Sequence, residues 1–255
     1  MQGDLSDLYQ RRLFWDSQIE PITGRFLSQL LSAGDVFYDI GANCGYFTLL
    51  AASKLQGGGA VVAFEPNPIA REHLLTNLRI NGFSSVVVRP EALGAMTGST
   101  LLYQYDEKTT DSTLQAESRD PIKQFDIEVR CLDETVIELG LFPTIIKMDV
   151  EGWEGEVIQG AREVLSSPRP PILIAEVHES VAVRGGSSTE RWIRVLEDYG
   201  FSFLDLQGCY CGIGLPKRPR HWKRGAQYKR LRGYFNIAAY RPDVHSAQIE
   251  EALKR

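Results

Sequence analysis

"FYDIGANCGYF", residues 37–47, reads as an apolar strand that ends on an acid, turns on two glycines and enters a helix. Strands buried on both faces of a parallel sheet are near-continuous apolar runs, so packing alone does not account for Asp39 at the strand end. Gly41 permits a tight turn after the strand. Gly45 lets the next helix come close to sheet and ligand, since neither glycine carries a Cβ. A dinucleotide turn has the form G-x-G-x-x-G, with glycines whose backbone meets a pyrophosphate. Here the spacing is Asp-x-Gly-x-x-x-Gly, and a carboxylate stands where a diphosphate would be repelled. The turn suits a cationic ligand, with helix N-capping by Asp39 as the structural alternative.

Outward from this stretch, short apolar runs alternate with amphipathic ones at α/β spacing. "DVFYDI" (35–40), "AVVAFE" (60–65), "SVVVRPEAL" (85–93), "TIIKMDV" (144–150) and "PILIAEVH" (171–178) are the expected parallel strands, and "FSFLDL" and "YFNIAAY" add two more. "EGWEGEVIQGAREVLSS" reads as one helix with Val157, Ile158, Ala161, Val164 and Leu165 on one stripe. The first 34 residues read as a helical extension ahead of a domain spanning 35–243, and 244–255 as a tail. Two segments break the rhythm, 99–131 and 207–233, and both are expected as insertions on the substrate side, the first as a hairpin or flap.

Length and composition fit this plan. A chain of 255 residues that is 43% hydrophobic supports one substantial core. Its formal charge of −5 argues against a general nucleic-acid binder. The acidic start "MQGDLSDLYQ" has no signal-peptide pattern and no apolar run reaches membrane-span length, so the chain reads as cytosolic. Cys44, Cys131, Cys209 and Cys211 form no C-x-x-C, and two thiolates at Cys209 and Cys211 do not complete a zinc shell.

Ligands of open α/β sheets bind beyond the carboxyl ends of the strands. The second such end offers Glu65, 20 residues after Gly45, where an acid can accept from both hydroxyls of a ribose. The third, "RPEALG", offers Glu91 to an adenine amino group, with the small Ala92 beside the ring. An adenosyl ligand with a positive charge and no pyrophosphate is S-adenosylmethionine.

"GDVFYDIGANCGYFTLLAA", "VVAFEPNP", "IIKMDVEGWEGEVIQGA" and "PILIAEVHE", in this order, resemble the FkbM family of S-adenosylmethionine-dependent methyltransferases. The resemblance spans about residues 20–205. It implies the Rossmann-like class I methyltransferase fold, an α/β architecture with helices on both faces of a seven-stranded, mostly parallel sheet. The implied strand order is 3-2-1-4-5-7-6, with the last strand antiparallel. It also implies methyl transfer to a hydroxyl oxygen. By resemblance the cofactor positions are Asp39, Gly41, Asn43 and Gly45 with their turn neighbours Ala42 and Tyr46, then Glu65 with Pro66 and Asn67. Glu91 and Ala92 match more loosely.

Methyl transfer to an aliphatic hydroxyl needs an acceptor aligned with the methyl carbon and a base for its proton. Candidates at the fourth and fifth strand ends are Lys147, Asp149 and Glu151, then Glu176, His178 and Glu179. His178 is the preferred base, because its unperturbed pKa lies near neutral pH. Asp149 is expected to contact the cofactor, hold the acceptor or orient the base. An acid-rich helix start, with Glu151 and Glu154, is the structural alternative for this stretch. Asp149, Glu151 and Glu176 have oxygens that suit a hard cation, but their spacing does not require one, so no metal is expected.

From Lys217 to Arg232, "KRPRHWKRGAQYKRLR" holds eight basic residues and no acid; removing its +8 from −5 leaves −13 on the rest. An anionic small-molecule or glycan acceptor is the expected partner of this loop. Trp222 and Tyr228 keep RNA stacking open. The lack of an Asn- or Asp-Pro-Pro-aromatic run after the fourth strand argues against transfer to a base amino group. The expectation is an O-methyltransferase of a sugar, glycan or other secondary metabolite. The alternatives are a methyltransferase of RNA or a peptide working through the 217–232 loop, or an adenosyl-binding module without chemistry; a homo-oligomer is compatible with either.

Overall fold

The structure is a computed structural model that describes residues 20–105, 112–114, 116, 120–178, 188–206, 220–221 and 234–254. Its centre is the run that opened the sequence: β1 (Val36–Ile40) pairs in parallel with β2 (Ala60–Phe64) on one side and β8 (Ile145–Met148) on the other. The sheet continues through β3 (Val87–Arg89) beyond β2, and through β9 (Ile172–His178), β12 (Tyr234–Tyr240) and β10 (Ser202–Asp205) beyond β8. Read in chain order this is 3-2-1-4-5-7-6, with β12 antiparallel to both neighbours. A two-residue strand, β11 (Arg220–His221), adds an eighth member at the β10 edge.

Alternation along the strands splits the core between two faces. On one face Tyr38, Ile40, Val62, Phe64, Ile146 and Met148 meet α4 (Leu132–Leu139), α5 (Glu154–Gln159), α6 (Arg162–Ser166) and α7 (Thr189–Asp198). On the other, Phe37, Val61, Ile145, Ile174 and Ala238 meet α1 (Pro21–Leu30), α2 (Tyr46–Lys54) and α8 (Pro242–Lys254). α3 (Pro68–Asn81) packs Leu74 and Leu78 against Ala42 and Ala63.

Three differences from the sequence reading have physical causes. The 85–93 run is two strands, because Pro90 has no N–H to continue a ladder; the chain leaves the main sheet and resumes as β4 (Ala92–Leu93) in a second one. That second sheet contains the expected hairpin, β5 (Gly98–Gln104) antiparallel to β7 (Lys123–Arg130), with β6 (Ser112–Thr113) at its edge. The helix expected over 151–167 keeps its buried stripe but breaks at Gly160 and Ala161. A Cβ on Gly160 would lie 2.0 Å from the Gly94 carbonyl oxygen, and both Asp133 carboxylate oxygens accept from the restarted helix at Glu163 N and Val164 N, each at 3.0 Å.

The third difference concerns the ends of the chain. The expected helical extension and tail pack onto the sheet: α1 buries Ile22, Phe26, Leu27 and Leu30, and α8 buries Ile249 and Ala252 in the same layer. At about 1.5–3 kcal/mol for each large apolar side chain, α1 belongs to the domain's core. Residues 1–19 and 255 lie outside the described residues. So do Glu179, Cys209, Cys211, Trp222, Tyr228 and all of 217–232 except Arg220 and His221. Among the described residues no helix is long and apolar enough to cross a membrane.

Candidate functional site

The turns after β1, β2 and β8 lock onto one another at the carboxyl edge. Asn43 N donates to Glu65 Oε2 at 2.7 Å, and Asn67 N to Glu65 Oε1 at 2.8 Å. Asn43 holds φ 49, uncommon for a residue with a Cβ; its Oδ1 accepts from Cys44 N at 2.7 Å. Gly41, at φ 82, is needed less by a ligand than by its neighbour turn, because a Cβ there would lie 1.9 Å from the Asp149 carbonyl oxygen. Gly45, at φ 94, precedes α2 and clears Leu74 of α3. Ala42 is buried, and Tyr46 packs edge-on against Phe47 at 4.9 Å between centroids.

Burial pushes the Glu65 carboxyl up to about 7, against the pull of the Asn67 and Asn43 N–H groups and Arg71. Arg71 Nη1 fixes this tip from behind by donating to the carbonyls of Glu65 and Pro66 at 2.8 and 3.0 Å. The Asn67 side chain is committed internally: it caps α3 at Ile69 N and Ala70 N, and its amide donates to Ser112 Oγ at 2.9 Å and Gln104 Oε1 at 3.3 Å. It therefore ties the β2 tip to the second sheet. Glu91 is likewise engaged, by a forked bond from Arg89, and Ala92 is buried in β4. An open groove of about 520 Å³ runs between Pro66, Pro90 and Glu91 and the β7 residues Phe125–Glu128. It adjoins the expected adenine end and includes neither Asp39 nor Lys147.

Across the sheet a polar row interrupts the apolar face shared with α1 and α2. Asp39 stands opposite Lys147 in register, and Glu176 opposite Asn236. All four are buried, and Glu20, at the start of α1, covers them. Lys147 Nζ donates to Asp149 Oδ2 at 2.9 Å and sits 4.6 Å from the Phe47 ring centre. Burial works against its charge, but Asp149, Glu20 and Asp39 together hold its pKa above the ordinary lysine value. The surrounding carboxylates thus favour the charged form of Lys147. Burial raises Asp39, which Lys147 and a 2.5 Å bond from Thr48 Oγ1 pull back.

Of the expected catalytic residues, Lys147, Asp149 and Glu176 come together. His178 ends β9, but its side chain lies outside the described residues. Carboxylate oxygens of Asp149, Glu151 and Glu176 lie within 4.8 Å of one another, a convergence that their spacing did not foretell. Glu154 does not join them. It accepts from Val150 N and Gly152 N at 3.3 and 3.4 Å and shapes the turn after β8.

Burial raises the Glu154 pKa from 4.5 to about 7, so the folded state binds its proton more tightly than the unfolded one. Its contribution to stability is therefore present below pH 4.5 and lost as pH rises to about 7. Urea melts across that window should show Glu154→Gln gaining on the parent by roughly 3 kcal/mol. A constant difference would mean that the carboxyl titrates normally.

Glu20 was missed. Its only sequence signal is an acid directly before Pro21, which looks like an ordinary helix start.

The comparisons agree with this geometry. The family model described as the methyltransferase FkbM domain matches residues 39–203. The hexuronic acid methyltransferase AglP of Haloferax volcanii is 28% identical over 160 residues, covering 62% of each chain. Methyltransferase 1 of Beauveria bassiana is 28% identical over 141 residues, 48% of this chain and 56% of that one. The crystal structure of the methyltransferase FkbM from Methylobacillus flagellatus KT superposes with a TM-score of 0.50 at 20% identity, over 81% of this chain and 44% of that one. The chain thus spans less than two thirds of each of these relatives. A match over most of the sheet and its strand tips places the chain in the FkbM methyltransferase family.

Proposed function

We propose that the chain transfers a methyl group from S-adenosylmethionine to a hydroxyl of a sugar, glycan or related metabolite. The observation that carries the reading is Glu65. A carboxylate offers about four acceptor positions; Asn43 N and Asn67 N take two, and two remain for the paired hydroxyls of a ribose. Asp39 and the polar row supply negative charge for a cationic ligand beside it. When bound, S-adenosylmethionine supplies an electrophilic methyl on a sulfonium.

The chain's part is to hold the acceptor and move its proton. Asp149, fixed by Lys147, and Glu176 border the acceptor position. The Lys147 charge stabilises the acceptor oxygen as its proton leaves. His178, two residues beyond Glu176 on β9, is the proposed base. Hexuronic acid, in the name of the Haloferax volcanii relative, supports an acidic sugar as acceptor, and the basic 217–232 segment fits the same charge.

Calorimetric titration with S-adenosylhomocysteine tests the reading, with nicotinamide dinucleotide in parallel as a ligand expected not to bind. Glu65→Ala should bind S-adenosylhomocysteine about tenfold more weakly or worse, from two lost hydrogen bonds. His178→Ala should bind normally and lose turnover on hexuronate-containing acceptors. A well-folded parent that binds no adenosyl ligand overturns the proposal.

A further inference from the structure

Glu20 does not do what an acid at a helix start ordinarily does. Such residues accept from the first-turn N–H groups, whereas Glu20 makes no side-chain cap bond to α1. Its backbone, at φ 48 and ψ 62, lies in the left-handed region that non-glycine residues seldom adopt. The strained turn drives the carboxyl group inward, leaving the residue 7% exposed. Oε2 accepts from Asn236 Nδ2 at 2.6 Å. Oε1 is buried and accepts no hydrogen bond among the described residues.

The charge around it is unbalanced. Glu20, Asp39 and Asp149 face one described cation, Lys147. Buried charge must be paired or neutralised, and a cationic ligand would do so here. Asp39 has Thr48 as a donor, Asp149 has Lys147, and Oε2 of Glu20 has Asn236. Oε1 of Glu20 needs a donor, and a sulfonium has no hydrogen to offer, whereas an ammonium does.

Resting on the methyl-donor reading above, we propose that Glu20 binds the amino-acid ammonium of the donor, with Oε1 as the accepting atom. Glu20 is then a cofactor-binding residue at the N-cap of α1, beside Asn236 of β12. The groups facing it are Lys147 and Asp149 from β8 and its turn, Thr23 from α1 and Asn236 from β12. Asp39 and Glu176 lie next along the row.

The test compares two ligands that share adenosine and a thioether: S-adenosylhomocysteine, which has the ammonium, and methylthioadenosine, which does not. Glu20→Gln should weaken the first about 10- to 100-fold, the range for a hydrogen bond to a charged group, and leave the second within about twofold. Equal losses for both ligands, or no loss for either, overturn the proposal. A parent that binds neither ligand overturns the adenosyl reading itself, which is a different result.

Should Glu20→Gln not fold, the parent alone decides. Burial raises the Glu20 pKa against the pull of Lys147, so its carboxylate is protonated as pH falls through that raised value. The preference for S-adenosylhomocysteine over methylthioadenosine should then shrink in acid. A preference that does not fall with pH overturns the assignment.

Discussion

Gly41→Ala should destabilise the protein by about 2–5 kcal/mol, a large share of the 5–15 kcal/mol typical of a folded domain. Two effects combine. At φ 82 an alanine pays about 1–2 kcal/mol in backbone strain. Its Cβ would also fall 1.9 Å from the Asp149 carbonyl oxygen, and overpacking of this kind costs about 1–3 kcal/mol more. Neither turn can retreat cheaply, because Gly41 N is bonded to the Phe64 carbonyl and Asp149 N to the Ile40 carbonyl, both at 3.0 Å. Gly34→Ala separates the two effects: Gly34 has φ 94 and nothing within 4 Å of the added Cβ. It should lose only about 1–2 kcal/mol, and similar urea midpoints for the two variants would defeat the steric argument.

Lys147→Met is the second large effect, at about 3–5 kcal/mol, because removing one partner leaves buried charge uncompensated. Methionine nearly matches the lysine in length, so the loss is electrostatic and not a cavity. The sign with pH follows from the acids. Without the ammonium, Glu20 and Asp39, whose pKa values burial already raises, lose the Lys147 attraction that pulls them down. They therefore stay protonated to higher pH in the folded variant, and its deficit should be smallest in acid and grow towards neutrality. Denaturant melts at acidic and neutral pH measure this. A deficit that does not change with pH would assign Lys147 a packing role only.

The strands were legible because two-sided burial writes itself as unbroken apolar runs, and seven of the eight main-sheet strands fall within the expected stretches. The acids at the tips, Asp39 and Glu65, were legible for the opposite reason, since each is a polar residue that the run itself does not explain. What escaped depends on contacts between distant segments. The break at Gly160 is set by Gly94, and the role of Gly41 by the Asp149 backbone. Asn67, which reads as a ligand neighbour, also ties its strand tip to Gln104 and Ser112, 37 and 45 residues away. Glu20 meets Asn236 across 216 residues, and no local pattern encodes that meeting.

The reversed strand β12 has a further effect on how such an enzyme can change. Since β10 and β12 run in opposite directions, with β12 also antiparallel to β9, the last residue of β10 and the first of β12 emerge at the edge that carries Asp149 and Glu176. The chain therefore leaves the sheet after Asp205 and rejoins it at Tyr234 on that same edge, with β11 between them paired onto β10. Substitutions confined to the chain between these two strand ends would leave the turns after β1 and β2 as they are.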